Sequence, residues 1–274
     1  MKLSSEEKLR LKTSYGPWAL ITGASSGIGL ELATRLAEAG LNVLLHGRRA
    51  LALLRISQDL KERFAVQTDI VSADLATDDG VQELLQAARK KPIGLVIASA
   101  GFGTSGLFHQ GNVADEVNML RVNCEALMVL VHYFGNQFTR QNRGGIILLS
   151  SMVGFQGVPY AAHYAATKAY VQSLGEALAV ELKPYGVDVL TAAPGPVSSG
   201  FEMRANLKMN MAMRPDQIAI PILKALGRQS TILPGFLTKF LVGSLRTVPR
   251  WAKVLIMQKV MGGMTAHQRI IEIV

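Results

Sequence analysis

The chain is poor in several features that would mark its class. Its 274 residues hold one cysteine, Cys124, which excludes an internal disulfide and suits a reducing compartment. Its five histidines (His46, His109, His132, His163, His267) are scattered with no pair at ligand spacing, so no metal site is expected. No apolar run reaches the ~18 residues that mark a spanning helix. The first fifteen residues, MKLSSEEKLRLKTSY, lack an apolar h-region and do not read as a secretory signal. The expected location is therefore cytoplasmic. The net charge is +9, yet there is no block of five or six basic residues and no nucleic-acid-binding motif, so nucleic acid is not an expected partner. One further absence bears on cofactor choice: no Asp or Glu occurs between Glu38 and Asp59.

Hydrophobic residues make up 49% and charged residues 18% of the chain, a composition that folds around a sizeable core. Short apolar runs alternate with segments of helical period. Strands are expected at Trp18–Thr22, Asn42–Leu45, Val66–Val71, Leu95–Ala98, Ile146–Leu149, Val187–Ala192 and, as a short last one, Ile232–Leu233. Helices are expected at Ile28–Ala39, Ala50–Phe64, Asp78–Lys90, Asp115–Gln141 and Tyr160–Lys183. Strict alternation of strand and helix predicts an α/β fold: one Rossmann-like, doubly wound parallel sheet with helices on both faces.

The first strand runs straight into Gly23-Ala24-Ser25-Ser26-Gly27-Ile28-Gly29 and then a helix. Glycines at such a turn let backbone N–H groups approach a pyrophosphate, and the helix N-terminus adds its positive end. The G-x-x-x-G-x-G spacing differs from the G-x-G-x-x-G of the long-chain dinucleotide fold, and a turn that merely needs glycine is the plainer reading. Its place at the first strand-to-helix junction favours the nucleotide. An NAD site usually carries an acid about 20 residues on, for the ribose 2′-hydroxyl. Here the second strand ends His46-Gly47-Arg48-Arg49, and a guanidinium pairs with a 2′-phosphate where a carboxylate repels it. The pattern predicts NADP(H), against the reading of Arg48 and Arg49 as solvated loop charges.

In the fifth helix, Tyr164 and Lys168 are four residues apart and share a face, while Tyr170 points elsewhere. A Tyr-x-x-x-Lys match is by itself a frequent coincidence. The preceding strand, however, ends in Ser150-Ser151, and ligands of parallel α/β sheets bind beyond the carboxyl ends of strands. Ser151 and the glycine turn therefore open onto one edge.

Together with these, TGASSGIG (Thr22–Gly29), ADL (Ala73–Leu75), ASAG (Ala98–Gly101), Asn123, YAATK (Tyr164–Lys168) and PGPVSS (Pro194–Ser199) occur in order, and the chain resembles the short-chain dehydrogenases/reductases from about Trp18 to Pro234. The resemblance implies an oxidoreductase with a catalytic set of Asn123, Ser151, Tyr164 and Lys168. Tyr164 would be general acid in carbonyl reduction or base in alcohol oxidation. Lys168 would lower its pKa from the ordinary value of about 10 and hold the nicotinamide ribose. Ser151 would hydrogen-bond the substrate oxygen, Ser150 would be its structural neighbour, and Asn123 would support a water relay. Cys124 reads as a small buried hydrophobe. The cofactor would also touch Gly23, Ser25, Ser26, Gly27, Ile28, Gly29, Arg48, Arg49, Asp74, Leu75, Ala100 and Gly101. Pro194, Gly195, Val197 and Ser199 would complete its path. Ser99 stands where the family usually has Asn, which puts a sheet-stabilising contact in doubt; Ser199 replaces a usual Thr. Pairing through the helices Asp115–Gln141 and Tyr160–Lys183 would give a homodimer or homotetramer.

The expected organisation is a catalytic domain, 1–235, with a substrate lid at about 200–214, and a basic helical extension, 236–274. The lid segment holds Met203, Met209, Met211 and Met213, suited to a lipophilic substrate, or alternatively core filler. Met152 and Phe155 would add apolar wall. The extension carries six basic residues (Lys239, Arg246, Arg250, Lys253, Lys259, Arg269) and one acid, Glu272. It reads first as a cap over the pocket or a subunit contact, and second as a peripheral membrane helix. The leading function is an NADPH-dependent reductase of a small apolar ketone or aldehyde. A 3-oxoacyl-thioester reductase and a non-catalytic NADP(H)-sensing regulator are the alternatives.

Overall fold

The computed structural model describes residues 2–208, 212–245 and 247–269. Its strands are β1 (Trp18–Ile21), β2 (Asn42–Gly47), β3 (Thr68–Ser72), β4 (Ile93–Ala98), β5 (Gly144–Leu149), β6 (Val187–Ala192) and β7 (Thr231–Ile232). They form one sheet in the order β3-β2-β1-β4-β5-β6-β7, every pair parallel. The order reverses between β1 and β4, which opens a crevice at the strands' carboxyl ends. Among the described residues no helix is long and apolar enough to cross a membrane.

The expected doubly wound fold is what is found. The helices are α1 (Ser5–Tyr15), α2 (Gly27–Glu38), α3 (Ala50–Phe64), α4 (Asp78–Arg89), α5 (Val113–Leu120), α6 (Leu127–Gln141) and α7 (Ala162–Glu181), then α8 (Phe201–Arg204), α9 (Pro215–Ala225), α10 (Phe236–Ser244), α11 (Arg250–Met264) and α12 (Ala266–Arg269). Period-2 alternation along the strands feeds two cores. Ala19 and Ile21 of β1 join Leu32 and Leu36 of α2 and Ile218 and Ile222 of α9 on one face. Trp18 and Leu20 join Leu84 of α4, Phe134 of α6 and Val171 of α7 on the other. Strands buried on both faces explain why their sequences are apolar throughout rather than alternating.

Several boundaries differ from expectation, each for a local reason. The long helix expected over Asp115–Gln141 is α5 and α6 joined through a π-helical stretch, Arg121–Ala126, which turns Asn123 inward. The helix expected from Tyr160 begins at Ala162, because Tyr160 has φ +65°, outside the right-handed region. It ends at Glu181, before a 3₁₀ turn built on Pro184. Neither α1 nor α9 was expected. The first had a legible signal: Ser4 accepts a hydrogen bond from the Glu7 N–H at 3.2 Å, the first half of a Ser-x-x-Glu capping box. Of the extension's expected residues, Arg246 and Glu272 lie outside the described residues, as do Met209 and Met211 of the lid.

Candidate active site

Strand ends and helix starts meet over the β1/β4 crevice. Gly27 at the start of α2 has φ +60°, and a Cβ there would lie 2.8 Å from the Ser199 Cβ, so the turn both needs glycine and keeps its backbone accessible. The α2 N-terminus has no side-chain cap and no acid in its first turn, leaving its N–H groups free for an anion. By contrast α4 is capped by Thr77, which accepts from the Gly80 N–H at 3.1 Å, and opens with Asp78 and Asp79. At the end of β2, Arg49 donates to the Ser25 carbonyl at 3.0 Å, and Arg48 lies 3.9 Å from the Asp74 carboxylate; both ends of that ion pair are about half exposed. The two guanidiniums therefore stand at the edge of the cradle with donors to spare. Buried His46 behind them is pushed down to about 4 by desolvation and stays neutral.

At Ser99 the sheet edge is tied together by the Thr22 side chain. The Thr22 hydroxyl accepts from the N–H groups of Ser99 at 3.0 Å and Ala100 at 2.9 Å, tying β1 to the end of β4 through the backbone. The Ser199 hydroxyl donates to the Val197 carbonyl at 3.2 Å, closing a local turn.

Ser150 and Ser151 diverge as their alternation requires. Ser150 is buried and donates to the Lys168 carbonyl at 2.8 Å, fixing α7 against β5. Ser151 lines the cavity together with Tyr164, and its hydroxyl donates to the Pro194 carbonyl at 3.5 Å and accepts from the Val153 N–H at 3.4 Å. Lys168 is buried and donates to the Leu149 carbonyl at 2.7 Å, with its Nζ 5.9 Å from the Tyr164 ring centre. Burial sets the direction of both groups. Burial pushes Tyr164 up to about 12, with the Ser151 hydrogen bond opposing it, and pushes Lys168 down to about 8. Desolvation disfavours both charged forms. Tyr164 therefore keeps its proton near neutral pH.

Asn123 is fully engaged. Its Oδ1 accepts from the Phe102 N–H at 3.1 Å, and its Nδ2 donates to the Phe102 carbonyl at 2.8 Å and to Thr167 Oγ1 at 3.0 Å. It sits behind the cavity and pins the loop after β4 to α7. The neighbouring Cys124 thiol is buried and pushed up to about 11, as befits an inert packing residue.

All the other expected catalytic and cofactor residues line one continuous cavity of about 1430 Å³. Its far wall is lined by residues of the 200–214 segment and of α10 and α11. Phe201 of α8 packs 5.2 Å from the Tyr164 ring, and Arg204 lies over the Phe102 ring at 4.1 Å. Gly103 allows this approach, since a Cβ there would fall 2.7 Å from Phe201 and 3.0 Å from Tyr164. The methionine wall comes mainly from elsewhere than the lid. Met152, Met257, Met261 and Met264 line the cavity together with Met203, whereas Met213 is tied down in a bridge to Val197 and packs on the core. Phe155 is absent from the cavity wall. The i, i+4 spacing of Met257 and Met261 was the available signal; that their face meets Tyr164 was not.

Against this geometry the comparisons are specific. The short chain dehydrogenase family profile matches residues 17–210. The chain belongs to the short-chain dehydrogenases. It is thus an oxidoreductase of a family that uses a nicotinamide cofactor. The chain is 28% identical over 235 residues to a 7beta-hydroxysteroid dehydrogenase of Clostridium sardiniense, covering 84% of this short-chain dehydrogenase and 90% of that protein. It is 34% identical over 195 residues to a very-long-chain 3-oxoacyl-CoA reductase-like protein of Arabidopsis thaliana, covering 69% of this chain and 62% of that one. A solved short-chain dehydrogenase from Sphingobium yanoikuyae in complex with NADPH matches with a TM-score of 0.76 and 26% identity, over 94% of this chain and 96% of that one.

Proposed function

We propose that this short-chain dehydrogenase is an NADP(H)-dependent reductase of bulky apolar ketones. The observation that carries the reading is the cavity. It runs from the glycine cradle past Ser151 and Tyr164 into an apolar wall supplied by α10 and α11, and its ~1430 Å³ exceeds the roughly 300–1,000 Å³ of a single drug-sized ligand site. That is room for a dinucleotide and a second, apolar molecule. The names of the hydroxysteroid and very-long-chain relatives support the same size class.

The residues fit NADP(H). The uncapped α2 N-terminus and the Gly27 turn would take the pyrophosphate, and Arg48 and Arg49, with no acid at the end of β2, would take the 2′-phosphate. Bound NADPH supplies the hydride. Ser151 orients the carbonyl oxygen and Tyr164 gives it a proton; a phenol held protonated by burial suits that direction. Lys168, anchored on Leu149, restores charge balance beside the phenolate left behind. Asn123 positions the loop over Lys168. Exposed Val113, Val117 and Met128 along α5 and α6, with Tyr170 and Val180 on α7, support homo-oligomerisation through these helices, which light scattering of the purified protein tests.

The deciding experiment is NADPH oxidation with a panel of ketones from small to steroid-sized. Turnover rising with bulk is expected; tight NADPH binding with no turnover of any ketone would refute the reading. A second reading, reduction of a 3-oxoacyl thioester, is favoured by Arg204 and Lys208 on the cavity wall, where a phosphate-bearing carrier would meet them. A 3-oxoacyl-CoA outcompeting every free ketone would select it.

A further inference from the structure

The chain's positive charge is not spread evenly. Residues 217–271 hold eight Lys and Arg and no Asp or Glu, while the remainder holds 21 basic and 20 acidic residues. Nearly all of the +9 therefore belongs to this C-terminal stretch. Four of its cations, Lys239, Arg250, Lys253 and Lys259, lie on α10 and α11, and none of them forms an ion pair among the described residues.

The same two helices are two-sided. Inward, Thr238 packs on the Pro194-Gly195 turn, and Met257 and Met261 pack against Ala161, Ala165 and Tyr164. Outward, Phe236 and Phe240 on α10 and Trp251 and Leu255 on α11 are exposed at i, i+4 spacing, interleaved with the lysines. Ile256 and Val260 join the two sides: both line the cavity, yet they are 42% and 50% exposed. The apolar wall of the active site thus runs out through its mouth onto an apolar, basic surface.

We propose that α10 and α11 dock the protein on an anionic lipid bilayer, with the cavity mouth at the interface, so that apolar ketones enter from the lipid. The substrate part of this inference rests on the reductase reading; the docking part does not. Exposed aromatic and aliphatic side chains among lysines suit a headgroup boundary, where rings bury their apolar body and cations meet lipid phosphates. A symmetric contact with a second copy would set this acid-free basic face against itself, with no carboxylate to pair. A nucleic-acid duplex would satisfy the lysines but leave Phe236, Phe240 and Leu255 in water.

The test is co-sedimentation of the full chain with phosphatidylcholine vesicles, with and without phosphatidylglycerol, read without any turnover. Binding to the anionic vesicles alone, weakening as salt is added, is expected. Tryptophan emission should shift to the blue on binding; Trp251 is 69% exposed and Trp18 5%, so the shift reports α11. Neutralising Lys239, Lys253 and Lys259 to Gln should weaken binding about fivefold each, about 100-fold together. Phe240→Ser with Trp251→Ser should abolish the salt-resistant part, and NADPH binding by both variants checks that they are folded. Three results would overturn the proposal: no binding to anionic vesicles at low salt, equal binding to neutral and anionic vesicles, or loss of a dimer in the Phe240→Ser/Trp251→Ser variant. Reduction of water-soluble ketones with no vesicle binding would sink the docking alone; vesicle binding without any reduction would sink the enzyme reading alone.

Discussion

The two ends of the central sheet are built on opposite terms. At the amino end the polar groups are closed off within the chain. Arg143 donates to the carbonyls of Thr13, Ser14 and Gly16 at 2.9–3.0 Å, and the Tyr15 hydroxyl donates to the Asp188 carboxylate at 2.7 Å. Arg10 spans to the carbonyls of Leu223 and Leu226 at 2.8 Å. Here α1 serves as a clasp over the starts of β4, β5 and β6. At the carboxyl end the α2 N-terminus is uncapped, Arg48 is loosely held, and Tyr164 and Lys168 are buried beside a large cavity. Groups that stabilise are saturated; groups available to a ligand are left short of partners. The contrast separates stability from chemistry by position along the strand.

Four measurements break or sharpen that division. Tyr164→Phe should cut ketone reduction by roughly 10²–10⁴-fold with an unchanged melting temperature, because only a proton donor is removed. Full activity in this variant would end the assignment. Arg143→Ala, at the other end, should lower unfolding free energy by about 2–3 kcal/mol in denaturant titration, since three carbonyls lose a charged donor, while KM for ketone and cofactor stays put. A changed KM would show that the ends are coupled. Reduction should also fall as pH rises through about 8. Lys168, depressed by burial, is charged below that value and neutral above it, whereas Tyr164 at about 12 keeps its proton. Each further pH unit should cost about tenfold in kcat/KM, and a flat profile to pH 10 would exclude a role for the ammonium. Arg48→Ala should raise KM for NADPH about tenfold and leave NADH nearly unaffected; equal losses would make Arg48 a bystander.

Much of the chemistry-bearing end could be read from local sequence. Strands buried on both faces appear as short apolar runs, and the glycine turn, Arg48 and Arg49 declare themselves by position along those runs. The helix break at Arg121–Ala126 was not legible, because what selects the π turn is the fit of Asn123 to Phe102 and Thr167, residues 21 and 44 positions away. The part of the apolar wall that meets Tyr164 includes Met257 and Met261 of α11, more than 90 residues beyond it in the chain. No periodicity reports which of two elements will cover a given cavity.

The sequence by itself determined the alternating α/β order, the anion-ready first turn with its arginine partners, and the pairing of Tyr164 with Lys168 on one helix face. Each follows from spacing of a few residues and from fixed backbone periods. Only the tertiary structure decided which way that pair's acidities move, how large a ligand can reach it, and that the basic extension turns one face to the cavity and the other to solvent. These depend on desolvation and on packing between distant segments, and both are properties of the assembled surroundings rather than of any one stretch of chain.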